Sequence, residues 1–383
     1  MNTRAWLAIS LIIAALAMSP ALVLAQQYIY TNDSIQSNRG NNTATAYSVS
    51  PSGTVTPIAT YLTGGLGDNG YFFAQVGIAS AHTKTHECLF VADGYTNDVA
   101  AFTIDLSNGT LRAVHGSPFA SGGLGGGTGL GLAVSYTSGQ PLLFAGNLTS
   151  STITSFMISS NCTLHAPQTF TVAGPPLALK ATPNGKYLIV SYLSGVGSFQ
   201  IASGGGLVEL TPPITANGTG QGIDISCDGA TAYFGTASNQ VVASNISATG
   251  KLRMINGFVG AAPSDLDNVL LSADGKTLFV SNAYFPPSSV TTLAVRPGGA
   301  LRYEGAITLR GGAQALGMAT TPAGDLLFVA ESTNSAIGVL QVSGTTLTEV
   351  PDSPFPTTGS GNDSLTVNLV AVPGNNCKLR LVN

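Results

Sequence analysis

The residues best suited to chemistry are four aspartates at or just before short apolar runs: Asp68, Asp265, Asp267 and Asp363. Carboxylates that converge on one point can bind a hard cation such as calcium, or one of them can act as a general base. Gln314 stands in a similar place and adds an amide oxygen as a further ligand-binding candidate. The plain alternative is that each aspartate only shapes a turn. The four carboxylates therefore carry chemistry only if the fold brings them together.

Histidine, the usual general base near neutral pH, does not accompany these aspartates. His82, His86, His115 and His165 fall in other turns or on an outer strand of the repeat described below. No Gly-x-Ser-x-Gly elbow is present, and the glycine-rich run at 123–131 lacks the lysine and the following helix of a phosphate-binding loop. The residues thus favour a binding site over a ready hydrolase. The one cofactor that they would suit is a divalent cation such as calcium at the same aspartates.

Lys180 and Asp224 occupy the same position in two consecutive apolar runs, each two residues before a Thr or Ser. Equal positions in neighbouring strands predict an ion pair across the interface between them, close to the axis of the fold. A buried pair of this kind is more often structural than catalytic, although charges beside a channel also mark candidate sites.

A repeat positions all these residues. Four short β runs, rich in Val, Ile, Leu, Phe and Thr, occur seven times and are separated by Gly, Asn, Asp and Pro. The clearest run recurs every 45–61 residues, as IYTN (29–32), FVAD (90–93), FAGN (144–147), IVSY (189–192), FGTA (234–237), FVSN (279–282) and FVAE (328–331). This period predicts an all-β protein, a seven-bladed β-propeller of four-stranded antiparallel blades.

The propeller places the candidate aspartates around one mouth of the central channel, because each precedes an innermost strand. The chain begins on a second strand at 28–32 and ends on an innermost strand at 366–372, so we expect the two termini to complete one blade. Another string of the second-strand type, RLVN at 380–383, competes for the same position.

Residues 1–25 have the layout of a secretory signal peptide, with Arg4 before an apolar stretch and a small residue, Ala25, at its end. A membrane anchor is the alternative. Cleavage leaves 26–383 as one propeller that is secreted, periplasmic or at the cell surface, does not span the membrane and is a monomer. Charged residues make up 8% of the chain and the net charge is −4, so the surface lacks the basic groups that nucleic-acid binding needs.

Four cysteines, Cys88, Cys162, Cys227 and Cys377, permit two disulfides in an exported chain, with three connectivities. Cys88 and Cys377 each stand at the start of a second-strand run, in blades next to each other across the ring closure. We therefore expect these two cysteines to form a disulfide.

The second-strand strings and two longer stretches, GTLRAVHGSPF at 109–119 and TTLTEVPDSPF at 345–355, resemble a known family. It is the seven-bladed lactonase-like propeller family, which includes bacterial phosphogluconolactonases and YVTN-repeat surface proteins, and the resemblance covers 28–383. It implies a propeller fold with either lactone hydrolysis or a binding role. The matching strings are structural, so no catalytic residue can be carried over from the family.

Two functions follow as hypotheses. The first is an exported binding or interaction scaffold for a small-molecule or surface ligand, with its site at the channel mouth. The alternative is a lactone hydrolase that uses the channel-mouth carboxylates, with or without a divalent cation.

Overall fold

The computed structural model describes residues 26–34, 40–67, 77–126, 130–137, 140–215, 220–236, 240–255, 259–260, 266–283, 288–311, 314–357 and 368–374. The predicted signal peptide, 1–25, lies outside these residues. Within them, no helix is long and apolar enough to cross a membrane.

The described strands belong to seven antiparallel sheets. In chain order the first sixteen are β1 (Gln27–Asn32), β2 (Thr43–Val49), β3 (Val55–Leu62), β4 (Ile78–His82), β5 (Glu87–Asp93), β6 (Asp98–Ile104), β7 (Leu111–Ala113), β8 (Phe119–Ala120), β9 (Leu130–Thr137), β10 (Gln140–Asn147), β11 (Thr152–Ile158), β12 (Leu164–Thr171), β13 (Pro176–Ala181), β14 (Tyr187–Tyr192), β15 (Gly195–Ile201) and β16 (Leu207–Ile214).

The remaining strands are β17 (Gly220–Ile225), β18 (Thr231–Thr236), β19 (Gln240–Ile246), β20 (Leu252–Met254), β21 (Val259–Gly260), β22 (Leu266–Leu271), β23 (Thr277–Asn282), β24 (Ser289–Val295), β25 (Leu301–Thr308), β26 (Ala315–Thr320), β27 (Leu326–Glu331), β28 (Ala336–Ser343), β29 (Thr346–Glu349), β30 (Phe355–Pro356) and β31 (Asn368–Val372). Three short 3-10 turns interrupt loops at Ser203–Gly205, Pro297–Gly299 and Ser332–Asn334.

Each sheet is one blade, and its strands run in order from the inside outward. Blade 1 is β31-β1-β2-β3, and blade 2 is β4-β5-β6 with β7 and β8 outside. Blades 3, 4 and 6 are β9 to β12, β13 to β16 and β22 to β25. Blade 5 is β17-β18-β19 with β20 and β21, and blade 7 is β26-β27-β28 with β29 and β30. The seven innermost strands contact one another in a closed circle, which confirms the predicted seven-bladed propeller.

Tight turns join the innermost to the second strands, as the Asn-Gly and Asp-Gly pairs predict. Gly185, Gly229 and Gly275 take φ values of 71°, 72° and 70°, which side chains other than glycine rarely adopt. In one of these turns, Asp228 Oδ1 also accepts the Ala230 N–H at 2.9 Å. We call the side of the ring that carries these turns the lower face. The upper face carries the connections from second to third strands and from outer strands to the next blade.

The ring closes within blade 1 through both ends of the described chain. β1 pairs with β31 from Tyr28 opposite Val372 to Asn32 opposite Asn368. The second-strand position is thus filled by the N-terminal strand, as predicted, and the competing string at 380–383 lies outside the described residues.

The disulfide predicted between Cys88 and Cys377 is wrong. Cys88 is bonded to Cys162 of blade 3, with 5.5 Å between the two Cα atoms. Successive side chains of a strand point to opposite faces. In β5, Cys88 and Phe90 therefore pack toward blade 3, whereas Leu89 packs toward blade 1, where the ring closes. Cys227 is disulfide-bonded as well, and Cys377 lies outside the described residues.

The core lies between the blades, and large side chains of the second strands form its centre. These side chains have no exposed surface and belong to Ile29, Phe90, Phe144, Ile189, Phe234, Phe279 and Phe328. Phe279 of blade 6, for example, packs in one cluster with Leu327 and Val329 of blade 7. Each blade is therefore stabilised mainly by its neighbours.

Replacing Phe279 with alanine should lower the free energy of unfolding by about 3–5 kcal/mol, because it opens a cavity between two blades. Urea unfolding followed by far-UV circular dichroism measures the loss. Tyr303→Ala on the outer strand, where the side chain is 48% exposed, is the control and should change stability by about 0.5 kcal/mol or less. An equal effect of the two substitutions would contradict the interblade core.

Candidate functional site

The innermost strands enclose a central cavity of about 830 Å³. Its lining comes from the second halves of these strands and from the lower-face turns that follow them, including Pro183, Gly275 and Pro373. The cavity therefore reaches the lower face of the ring. The sequence had indicated a site at the upper mouth.

Most of the lining is apolar, and it comes from all seven blades. The side chains of this kind include Ile78, Leu132, Leu179, Ile223, Leu270, Met318 and Val370. Among the described lining residues, five ionisable side chains break this surface: His82, Glu87, Tyr136, Lys180 and Asp224. A ligand in this cavity would meet an apolar wall with a few fixed polar groups, as in most small-molecule sites.

Lys180 and Asp224 form the ion pair that their positions predicted. The Lys180 Nζ lies 3.0 Å from the Asp224 Oδ1, between β13 of blade 4 and β17 of blade 5. The side chain of Lys180 is 45% exposed, whereas that of Asp224 is 9% exposed. The lysine ammonium therefore faces the open space of the cavity, and the aspartate is its buried counter-ion.

Asp224 holds its place through backbone donors as well. Its Oδ1 accepts the Ile225 N–H at 2.9 Å, and its Oδ2 accepts the Leu271 N–H of blade 6 at 2.8 Å. Both oxygens are thus occupied, so this carboxylate is suited to positioning Lys180 and not to accepting a proton from substrate. Three neighbouring blades meet at this one side chain.

A second polar group lies at the lower opening, between blades 2 and 3. The His82 imidazole Nδ1 is 3.1 Å from the Glu87 Oε2. The backbone N–H of His82 donates a hydrogen bond to the Tyr136 hydroxyl at 2.7 Å. Burial raises the pKa of Glu87, and its hydrogen bond with His82 opposes that rise. His82 is 72% exposed, so its imidazole is accessible from solvent.

From the sequence alone, His82 falls in a turn away from the upper channel mouth, where the aspartates indicate a site. One signal in the sequence would have found the pair. His82 and Glu87 flank a four-residue turn, which makes them direct partners across two antiparallel strands.

The two predicted ligand-binding residues that the structure describes, Asp267 and Gln314, do not line the cavity. Asp68, Asp265 and Asp363 lie outside the described residues. Asp267 is buried at the second position of β22 on the upper face, and it does not line the cavity. The Gln314 Oε1 accepts a hydrogen bond from the Ser332 hydroxyl at 3.1 Å, so this amide oxygen holds two loops together. Among the described residues, no cluster of three or more His, Cys, Asp or Glu side chains forms a metal centre.

Several solved structures have a similar fold. A protein from Bacteroides fragilis, provisionally assigned as a 6-phosphogluconolactonase, is 19% identical over 92% of this chain and 99% of its own, with a TM-score of 0.73. A Bacteroides uniformis protein with the same provisional assignment is 17% identical over 91% and 100%, with a TM-score of 0.71. The periplasmic gluconolactonase of Pseudomonas aeruginosa is 18% identical over 88% and 98%, with a TM-score of 0.70.

The chain has the seven-bladed lactonase-like propeller fold. Similarity at this level of identity extends to the fold alone. No protein-family model and no curated protein matches the sequence.

The upper face also holds a buried carboxyl whose ionisation is costly. Glu331 ends β27 with no exposed surface, and neither of its carboxyl oxygens has a hydrogen-bond partner. Burial, with a smaller contribution from the negative charge of Glu349, raises the pKa of Glu331 to about 7. The folded state therefore binds a proton that the unfolded chain has released, so stability falls as pH rises from 4.5 to 7.

Glu331→Gln should remove this dependence, because the amide has the shape of the carboxyl but does not titrate. The difference in the free energy of unfolding between the variant and the parent should grow in favour of the variant as pH rises through this range. Above pH 7 it should level off at about 3 kcal/mol. Urea unfolding at pH 5, 6, 7 and 8 measures the difference. Parallel pH profiles of the two proteins would contradict the assignment.

Proposed function

We propose that the protein is an exported binding propeller that holds a small, largely apolar molecule in the central cavity through an oxygen acceptor bound to Lys180. The observation that carries this proposal is the Lys180 ammonium group, positioned by Asp224, in a cavity whose described walls are otherwise mostly apolar. A volume of about 830 Å³ is within the range of small-molecule sites.

The chemistry of Lys180 defines the class of ligand. An ammonium has three N–H donors, and the contact with Asp224 uses one of them. The other two can bind a carboxylate, a phosphate or the carbonyl oxygen of an ester or lactone. Since the remaining lining is apolar, a hydroxy acid or its lactone with a hydrocarbon portion fits the site best.

The test compares Lys180→Met with the parent by isothermal titration against a panel of carboxylic acids, hydroxy acids and their lactones. Methionine keeps the length of the side chain and removes its charge. We expect affinity to fall roughly 10- to 100-fold, because a hydrogen bond to a charged group contributes about 1.5–3 kcal/mol. Lys251→Met, at an exposed turn on the same lower face, is the matched control and should bind as the parent does.

Two results would contradict this placement. One is unchanged affinity in Lys180→Met. The other is loss of binding in a double Asp265→Asn, Asp267→Asn variant whose Lys180 is intact, which would return the site to the upper channel mouth.

Lactone hydrolysis is the second candidate, and the pair of His82 and Glu87 favours it. A histidine oriented by a carboxylate can take the proton from a water molecule that attacks the lactone carbonyl. The ring C–O bond then breaks, the leaving ring oxygen receives that proton from the histidine, and the product is a hydroxy acid. The solved structures named above as gluconolactonases have the same fold, and this similarity supports the second candidate.

His82→Gln should reduce hydrolysis by about 10²- to 10⁴-fold, which is the usual contribution of a general base. Release of acid from a lactone panel in a pH-stat measures the rate. His165→Gln, at an exposed position of the outer strand β12, is the control and should keep full activity. Activity that survives in His82→Gln but disappears with a chelator would assign the chemistry to a cation at the upper-mouth carboxylates.

A further inference from the structure

The second strand of blade 2 ends on a buried carboxyl group, and only one of its two oxygens accepts hydrogen bonds. Asp93 has no exposed surface, and its Oδ1 accepts hydrogen bonds from Asn42 Nδ2 and Thr63 Oγ1, each at 2.8 Å. Its Oδ2 is buried with no hydrogen-bond partner. A buried acceptor in this state is costly unless a ligand or a proton occupies it.

A second carboxyl lies beside the first. Asp98 begins β6 directly opposite Asp93, and its buried Oδ1 also has no hydrogen-bond partner. The Asp93 Oδ2, the Asp98 Oδ1 and the Thr96 Oγ1 each lie 2.6 Å from the position that a Cβ would take on Gly65. No two of these oxygens are therefore more than 5.2 Å apart, which is twice 2.6 Å. Only glycine at position 65 leaves the volume between them open.

In the part of the chain that the structure describes, no positive side chain forms an ion pair with the carboxyl of Asp93 or Asp98. Two carboxylates this close ionise together only when a cation lies between them. Without a cation, they share a proton. Burial and the charge of Asp98 both raise the pKa of Asp93, whereas its hydrogen bonds from Asn42 and Thr63 oppose the rise.

We propose that Asp93, Asp98 and Thr96 form a calcium-binding site on the upper face of blade 2. Oxygen ligands alone suit a hard cation, and calcium accepts the irregular geometry that a loop provides. The Thr96 Oγ1 accepts the Leu66 N–H at 3.0 Å and keeps a second lone pair for the cation.

This calcium site is separate from the central cavity, whose lining contains none of its three ligands. Its three ligands are also not among the aspartates that the sequence indicated, Asp68, Asp265, Asp267 and Asp363. Three protein oxygens leave several coordination positions to water, so the expected dissociation constant is about 0.1–1 mM, as in extracellular modules.

Terbium luminescence and thermal unfolding test the site. Terbium replaces calcium at oxygen sites and emits when a nearby tyrosine is excited, and Tyr95 is the residue next to Thr96. We expect terbium emission that calcium displaces in the millimolar range. Adding 10 mM calcium should raise the melting temperature by roughly 2–4 °C.

Variants then locate the cation. Asp98→Asn should abolish both the emission and the melting shift, whereas Asp352→Asn, at an exposed turn, should keep both. Tyr95→Phe should lower the emission and keep the calcium shift, because it removes the donor and no ligand. If Asp98→Asn fails to fold, Gly65→Ala fills the same volume without removing a charge and should abolish the calcium shift.

Two results would overturn the proposal. The first is a calcium shift that persists in Asp98→Asn or Gly65→Ala, because the cation would then bind elsewhere. The second is no response of the parent to calcium or terbium, together with a pH dependence of stability that Asp98→Asn removes. That result would assign a shared proton to the carboxyl pair.

Discussion

Every blade of this propeller buries both of its faces, and the rest of the structure depends on this. A four-stranded sheet alone would expose the large side chains of its second strand, such as Phe279 and Phe328, to water. In the ring, each neighbour covers one face, so the apolar contacts of one blade exist only when the next blade is in place. The pairing of β1 with β31 completes the circle and removes the last uncovered faces.

This constraint explains where the few charged and polar side chains lie. At the upper face, buried polar groups end the second strands and hold the loops that cross between blades. Asp33, next to the end of β1, is satisfied by three hydroxyls, from Thr31, Thr43 and Thr45, at 2.6–2.7 Å. Asp93 and Glu331 occupy comparable places in the two blades beside it but retain oxygens without hydrogen-bond partners. A ligand or a proton is needed at these two places, whereas both oxygens of Asp33 already accept hydrogen bonds.

The lower face carries a different kind of chemistry. Its turns are short and regular, so the cavity inside the innermost strands reaches this face, and Lys180, His82 and Glu87 surround its opening. The ring thus separates a carboxyl-rich upper face from a largely apolar cavity in which Asp224 positions Lys180.

The amino-acid sequence by itself determined the repeat, the four strands of each blade, the tight glycine turns and the closure by both termini. All of these follow from local patterns, namely the two-residue alternation of strands and the turn preferences of Gly, Asn and Asp. The ion pair of Lys180 and Asp224 was also predictable, because equal positions on neighbouring strands of a repeat lie side by side. Other contacts between blades, the disulfide of Cys88 among them, were decided by the tertiary structure.

Cys88 bonds to Cys162 and not to Cys377 because the alternation in β5 turns its side chain toward blade 3. The cavity lies toward the lower face, and the convergence of Asp93, Asp98 and Thr96 beside Gly65 joins residues of two blades. The alternation along a strand shows which side chains share a face of the sheet. Which neighbour each face meets, and at which end the channel is wide, depends on how seven sheets pack around one axis.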